Sequence, residues 1–302
     1  MKLTANAQQL LNARYFLKDA QGKVLESPEQ LFRRVAKHVA GAGSGQNNGW
    51  ENKFYTVMAN LFFLPNSPTL MNAGLPEGQL SACFVLPVED SLASIFTTLK
   101  DTAMIHQSGG GTGYNFSKLR PHGDRVTSSG GVSSGPMAFI KIYDTATEHV
   151  RQGGKRRGAN MGILNVDHPD IEEFVVAKSK GDKLQNFNLS VGITDDFMKA
   201  VESDRNWELV NPRTKKTAKT IKAKELWRLI VSQAWKTGDP GLIFLDTINT
   251  YNPTPRRGGI QSTNPCGEVP LFEYESCNLG SLNLSKMLIS TSKGWEVDWD
   301  VL

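Results

Sequence analysis

Short apolar runs alternate with amphipathic stretches over most of the chain, and this alternation constrains the fold more than any other feature. "SACFVLPV" reads as a first buried strand, and Leu92, Ile95, Phe96, Leu99 and Ala103 then mark one face of a helix. A second helix is predicted from Pro136 to about Arg151, with Phe139, Ile140, Tyr143, Ala146 and Val150 on its apolar side. "ANMGILNV" (strand), "DIEEFVVAK" (short helix), "NLSVGIT" (strand), "AKELWRLIVSQAW" (helix) and "GLIFLDTI" (strand) continue the pattern. Strands separated by helices predict an α/β fold with a mainly parallel sheet, because parallel neighbours need a crossover between them. Sheets of this kind carry their chemistry at the carboxyl ends of the strands.

The first 78 residues read differently. In "SPEQLFRRVAKHVA" Ser27 is a cap, Pro28 the first helical residue and Gln30 the partner of a capping box, with Leu31, Val35 and Val39 four residues apart. A loop over 41–49 leads to a second helical stretch from Trp50 to about Phe63, and the Pro/Gly-rich segment 64–78 is irregular. The expected division is a mainly helical domain over 1–78 and an α/β domain over 79–302.

Composition narrows the class. With 302 residues, 39% apolar and 21% charged, the chain reads as soluble and globular, and a net charge of +4 is too small to argue for direct nucleic-acid binding. No stretch has the length of a membrane span, and the N-terminus lacks the apolar core of a signal peptide. Three cysteines, at 83, 266 and 277, form neither a disulfide framework nor a C-x-x-C pair, which favours reduced thiols and a cytoplasmic location. The five histidines show no metal-ligand spacing, and none is assigned to a metal.

Two glycine-rich stretches are candidate ligand loops. "HQSGGGTGYN" fails as a dinucleotide fingerprint, since the third glycine position after Gly111 and Gly113 is Phe116, and the stretch follows a helix. It offers backbone amides for close approach to a ligand, or serves only to reverse the chain. "RQGGKRRGAN" sets Lys155, Arg156 and Arg157 among glycines, suited to a phosphate or simply solvated.

In "TNPCGEVPL" Cys266 stands between Pro265 and Gly267, with Asn264 and Glu268 two residues to either side. Were the segment extended, the amide, thiol and carboxylate would share one face. The proline and glycine suit a stiff loop tip better than a central strand. Such a trio is a candidate reaction centre, although by itself it reads sooner as a surface turn with a half-buried, inert thiol, and Cys83 and Cys277 each read alone as core thiols.

"NSPTLMNAG", "LSACFVLPVEDSL", "GGGTGYNFSKLRPHGD", "RRGAN", "STNPCGE" and "SCNLGSLNL", in this order, resemble the catalytic subunit of ribonucleotide reductase. The glycine-rich and "GGKRRGANMGILNVDHPDIEEF" stretches are similar to its adenosylcobalamin-dependent class in particular. The resemblance covers essentially the whole chain. It implies an N-terminal helical region followed by the first half of a ten-stranded α/β barrel, with Cys266 at the tip of a central finger loop as a thiyl radical.

The implied chemistry explains the residue types. The radical takes the ribose 3′-hydrogen, Glu268 accepts the 3′-hydroxyl proton, and Asn264 holds the ribose hydroxyls. Cys83 and Cys277 supply the reducing electrons and end as a disulfide. By the same resemblance, substrate contacts fall on Ser67, Ala82, Cys83 and Gly111 and on Asn264, Pro265, Cys266, Gly267 and Glu268; at position 82 many members carry serine, whose hydroxyl is missing here. Effector contacts fall on Asp90, Ser91, Leu92 and Arg120. The implied cofactor is adenosylcobalamin. The implied partners are a ribonucleoside di- or triphosphate substrate, deoxynucleoside triphosphate effectors, a thioredoxin-like reductant, a homodimer mate in those members that dimerise, and the C-terminal half of the barrel. That half is expected to be missing here, making the chain a fragment or a split-gene product that is inactive alone. Two other readings compete: a glycyl-radical-type enzyme of related barrel, and a non-catalytic deoxynucleotide-binding subunit.

Overall fold

The computed structural model describes residues 3–302 apart from 44–48, 77, 127–129, 153–155, 180 and 182. The chain forms two compact units, Met1–Ala82 with Asn278–Leu302, and Cys83–Cys277.

The first unit contains α1 (Ala5–Arg14), α2 (Pro28–Ala40), α3 (Trp50–Ala59) and α4 (Ser67–Asn72). The capping box of α2 is formed: the Ser27 hydroxyl accepts from the Gln30 amide, and the Gln30 side chain accepts from the Ser27 amide at 2.8 Å. Leu31, Phe32, Val35 and Ala36 of α2 pack against Phe16, Met58, Leu70 and Ala73. The Arg34 guanidinium pairs with Glu26 at 2.8 Å and donates to the carbonyls of Leu70 and Ala73, which ties the C-terminal end of α4 to α2.

Three sequence expectations fail in this unit. The segment 64–78, read as irregular, holds helix α4, whose Asn66 cap accepts from the Thr69 amide. The second helix stops at Ala59, and Phe63–Pro65 is instead a strand, paired antiparallel with Gly280–Leu282. For the same reason "LGSLNLSKML", which has the look of a helix, is a strand, a 3-10 turn at Leu284–Lys286, and a further strand at Leu288–Thr291 paired with Gly294–Val297. Cross-strand pairing outweighs the modest helix preference of a segment containing Gly280, Asn283 and Ser285.

The second unit runs β1 (Cys83–Val85), α5 (Leu92–Gln107), β2 (Gly111–Asn115), α6 (Gly135–His149), β3 (Asn160–Asn165), α7 (Ile171–Val175), β4 (Phe187–Ile193), α8 (Asp195–Glu202), α9 (Ala223–Thr237), β5 (Gly241–Phe244), α10 (Leu245–Thr250) and β6 (Ser276–Cys277). An antiparallel hairpin, Asn206–Val210 with Thr217–Lys222, lies between α8 and α9. The sheet order is β5-β4-β3-β2-β1-β6; the first five strands are mutually parallel and β6 is antiparallel to β1.

Each crossover therefore moves one place in the same direction. Right-handed crossovers wound in one direction put every helix on the same face of the sheet. The core agrees: Ile95, Ile140, Tyr143, Phe174, Phe197, Leu226 and Ile230 of the helices pack against Tyr114, Leu164, Phe187, Leu189, Val191 and Ile193 of the strands. A single winding sense belongs to a barrel wall, whereas a doubly wound sheet reverses. Among the described residues the wall is open, and nothing pairs with the outer edge of β5. The opposite face carries a separate small cluster, Met161, Ile163, Ile243 and Leu245.

Strand β2 lies inside the glycine cluster that reads in the sequence as a loop, and it was missed because glycines carry no strand pattern. "GLIFLDTI" is strand only as far as Phe244 and helix from Leu245. Beneath β2 on the helix side, the Thr112 and Tyr114 hydroxyls both reach Asn160 Oδ1, while Asn160 Nδ2 donates to Thr147. His106 Nε2 stands 3.0 Å from the Thr112 hydroxyl, and its Nδ1 has no partner among the described residues. Burial lowers the His106 pKa to about 4.

Candidate active site

After α10 the chain turns back over the uncovered face of the sheet as a narrow hairpin. Ser262–Thr263 pairs with Pro270–Leu271, and the Asn264 side chain closes the end by accepting from the Val269 amide at 3.0 Å. At the tip the Gly267 amide donates to the Asn264 carbonyl at 3.1 Å, and Gly267 takes φ of 84°, a left-handed value that glycine adopts without strain. The loop tip is thus present, but Asn264, Cys266 and Glu268 do not lie along one extended edge. The turn sends Asn264 inward, fully buried, and leaves the Cys266 thiol exposed.

Glycines make room for this hairpin. Gly111 and Gly113, two apart on β2, face it together. A Cβ on Gly113 would stand 1.8 Å from the Thr263 carbonyl oxygen, and one on Gly111 would stand 2.6 Å from the Pro265 ring. The backbone amides exposed by this cluster are covered by the chain itself. Asparagines supply the polar ties: Asn115 Nδ2 donates to the Gln261 carbonyl at 2.8 Å and Asn188 Nδ2 to the Pro265 carbonyl at 2.7 Å. Asn249 accepts from the Ile260 amide and donates to its carbonyl, as a strand neighbour would.

Beside the hairpin, one rung of the sheet runs Gly111–Cys83–Cys277 across β2, β1 and β6. Residues directly opposite in an antiparallel pair have Cα atoms about 4.5–5.5 Å apart, within the range of a disulfide. Both cysteines are reduced and buried. Asn264 Nδ2 lies 3.5 Å from Cys83 Sγ. Burial, reinforced by the neighbouring Cys83 thiol and then by the Glu268 carboxylate, pushes the Cys277 thiol up to about 12. The geometry sets a buried amide beside two thiols, beneath a tip that presents a third thiol and the exposed Glu268.

Residues 81–302 match the family described as "Ribonucleotide reductase, barrel domain", and residues 1–78 match "Ribonucleotide reductase, all-alpha domain". The chain belongs to the ribonucleotide reductase family. It is 49% identical, over its whole length, to a vitamin B12-dependent ribonucleoside-diphosphate reductase of Thermoplasma acidophilum, covering 47% of that protein. It is 53% identical over its whole length to the protein of the same description from Mycobacterium tuberculosis, covering 44% of it. A ribonucleoside-diphosphate reductase subunit alpha from Chlamydia trachomatis is 30% identical over 93% of the chain. The chain spans a little under half the length of the B12-dependent relatives.

The remaining positions suggested by the reductase resemblance fall as follows. Asp90 accepts from both the backbone amide and the guanidinium of Arg120, with an ion pair at 2.8 Å. Ser91 caps α5 by accepting from the Ser94 amide, and Leu92, the first residue of α5, is exposed. These four effector candidates form one cluster. Ser67 and Ala82 belong to the first unit: the Ser67 hydroxyl is bonded to the Tyr15 hydroxyl at 2.8 Å, and Ala82 is buried. Lys155 lies outside the described residues, and only the backbone of Arg156 and Arg157 is described, paired with Arg151–Gln152.

A cavity of about 860 Å³ opens at the carboxyl ends of β1–β3 under the hairpin stem, lined by Lys118, His168, Arg213, Arg257 and Ser262 among others. Three of the cations that line it are in ion pairs: Lys118 with Glu89 and Glu273, Arg213 with Asp124, and Arg257 with Glu275. Cys266 does not line it. The hairpin tip thus presents an exposed thiol outside this cavity. Asn115, Asn188 and Asn249 escape the sequence reading, which takes Gly113 only as part of a candidate ligand loop. Paired glycines two apart signal a close approach once the strand is known, whereas the asparagines carry no such signal.

Proposed function

We propose that the chain is the N-terminal part of a B12-dependent ribonucleotide reductase, supplying the radical thiol, the general base and the reducing dithiol. The rung that sets Cys83 against Cys277, with the buried Asn264 amide reaching Cys83, carries this reading. Replacement of the 2′-hydroxyl by hydrogen consumes two electrons and releases water. Two thiols becoming one disulfide provide those electrons and two hydrogens, so the dithiol must sit where a disulfide can close. Cys277, held protonated at neutral pH, keeps its hydrogen until the substrate calls for it.

In this scheme Cys266 takes the 3′-hydrogen as a thiyl radical and later returns a hydrogen to that carbon. Glu268 removes the 3′-hydroxyl proton, which makes loss of the neighbouring hydroxyl as water feasible. Buried Asn264, whose amide already reaches Cys83, bridges the base and the dithiol. Adenosylcobalamin, when bound to the complete enzyme, would supply the radical. Ser67, Ala82 and Gly111 contact the ribonucleoside di- or triphosphate, and Asp90, Ser91, Leu92 and Arg120 receive a deoxynucleoside triphosphate effector. A cytoplasmic thioredoxin-like protein re-reduces the pair. Among the described residues no helix is long and apolar enough to cross a membrane.

The test is ribonucleotide reduction by the polypeptide completed with its C-terminal half, with and without adenosylcobalamin. Turnover that depends on the cofactor is expected. Deoxynucleotide binding with no turnover, in a completed enzyme shown to bind cobalamin, would instead identify a non-catalytic subunit.

A further inference from the structure

We propose that Gly113 and Asn188 are positioning residues that fix where the Cys266 thiol stands, Gly113 by setting the depth of the hairpin and Asn188 by setting the rotation of its tip. The inference rests on the reading of Cys266 as the radical thiol, and neither residue carries a reacting group.

Gly113 acts through shape. The atom that a side chain would meet, the Thr263 carbonyl oxygen at 1.8 Å, belongs to backbone, and the carbonyl carbon follows at 3.0 Å. No flexible side-chain end is available to swing away. On the other side of Gly113 the parallel pairing with Met161 of β3 holds the strand in place. The hairpin stem is then the part that moves, by more than about 1 Å, a displacement of the size that costs about 100-fold in rate when reacting groups are misplaced.

Asn188 acts through one dihedral. It alternates on β4 with Phe187 and Leu189, whose side chains are locked in the helix-side core, so its own side chain faces the hairpin. There its amide donates to the Pro265 carbonyl at 2.7 Å. The proline ring fixes φ at position 265, and the peptide that follows is planar. Asn264 is held on both sides, its amide donating to the Val269 carbonyl and its carbonyl accepting from Gly267, so the soft rotation left between the stem and Cys266 is ψ of Pro265, and holding its carbonyl oxygen removes that freedom. The Cys266 backbone is thus oriented from β4, on the far side of β3 from the cysteine pair.

The experiment compares Asn188→Ala, Asn188→Asp and Gly113→Ala in the completed reductase, and measures amide hydrogen exchange of each purified protein by mass spectrometry. For Asn188→Ala, kcat is expected to fall by about 10- to 100-fold with KM for the nucleotide within about twofold. Exchange over the 264–269 tip is expected to rise at least several-fold while β3 and β4 keep their protection. Asn188→Asp, whose carboxylate faces a carbonyl oxygen and donates nothing, is expected to be worse than alanine. Gly113→Ala is expected to produce the same kcat loss; if it does not fold, the two Asn188 variants carry the test, since their strand packs through its other face. Wild-type kcat together with unchanged tip exchange in Asn188→Ala overturns the proposal. If the parent enzyme reduces no ribonucleotide, the functional reading fails, and the exchange data still decide whether Asn188 holds the tip.

Discussion

Cys83 and Cys277 face each other on the rung that joins β1 to β6, while the third cysteine stands exposed at the hairpin tip. Mild oxidation of the reduced chain with diamide is therefore expected to join Cys83 to Cys277 ahead of any pairing with Cys266. Peptide mapping by mass spectrometry reads the product directly. A dominant disulfide containing Cys266 would contradict the register and, with it, the dithiol role.

The exposed thiol gives the sharpest test of chemistry. In the completed enzyme Cys266→Ser is expected to lower turnover to the assay background with the melting temperature and effector affinity unchanged, because a hydroxyl does not furnish an equivalent radical. Glu268→Gln, which keeps the shape and removes the base, is expected to lower kcat by about 10²–10⁴-fold. Appreciable reduction by the serine variant removes Cys266 from the radical step.

His106 makes stability depend on pH. Its folded pKa, about 4, lies below the ordinary histidine value of 6.5, so between these values the unfolded chain binds more protons. The contribution is fully present above about 6.5 and is lost as pH falls towards 4. A shift of this size corresponds to up to about 3 kcal/mol. His106→Gln, which retains a polar group near Thr112, is expected to flatten the urea-unfolding free energy across this window relative to wild type. Parallel pH curves for the two proteins would remove His106 as the cause.

Much of the architecture is written in residue patterns, and what escapes has physical reasons. The capping box at Ser27 and Gln30 and the apolar strands around Ile163 and Val191 are local signals that the structure follows; the helix predicted from Leu92 is present too, but it buries Ile95, Thr98, Thr102 and His106 and leaves Leu92 and Phe96 exposed. β2 escaped because its glycines answer to the hairpin that covers them, a segment some 150 residues later whose approach has no local trace. The strand at Gly280–Leu282 escaped because its partner, Phe63–Pro65, lies far back in the chain. For the site, the resemblance supplied the three cysteines, Asn264 and Glu268, and the structure adds the rung and the inward turn of Asn264. The ties from Asn115, Asn188 and Asn249 are tertiary hydrogen bonds, and an isolated asparagine does not disclose its partner.

The outer edge of β5 leaves a row of backbone donors and acceptors without a strand partner among the described residues, and Phe244 on β5 and Trp235 on α9 are exposed, the latter at 85%. Such an edge is a template for pairing with another chain. The 302-residue chain produced alone is expected to self-associate, and its C-terminal half added as a separate chain is expected to restore a defined complex with activity. Light scattering that shows a stable monomer at high concentration counts against this account of the edge.

The strand "GTGYN" is in effect two texts printed on alternate letters. Gly111, Gly113 and Asn115 address the hairpin, whereas Thr112 and Tyr114 address the buried hydrogen bonds beneath. Inserting or deleting a single residue exchanges the two readers: a tyrosine ring arrives under the finger, and glycines are left where the core needs volume. Substitutions can revise either text separately, but a change of length by one garbles both. Evolution of this strand is thus confined to spelling, with no freedom in spacing.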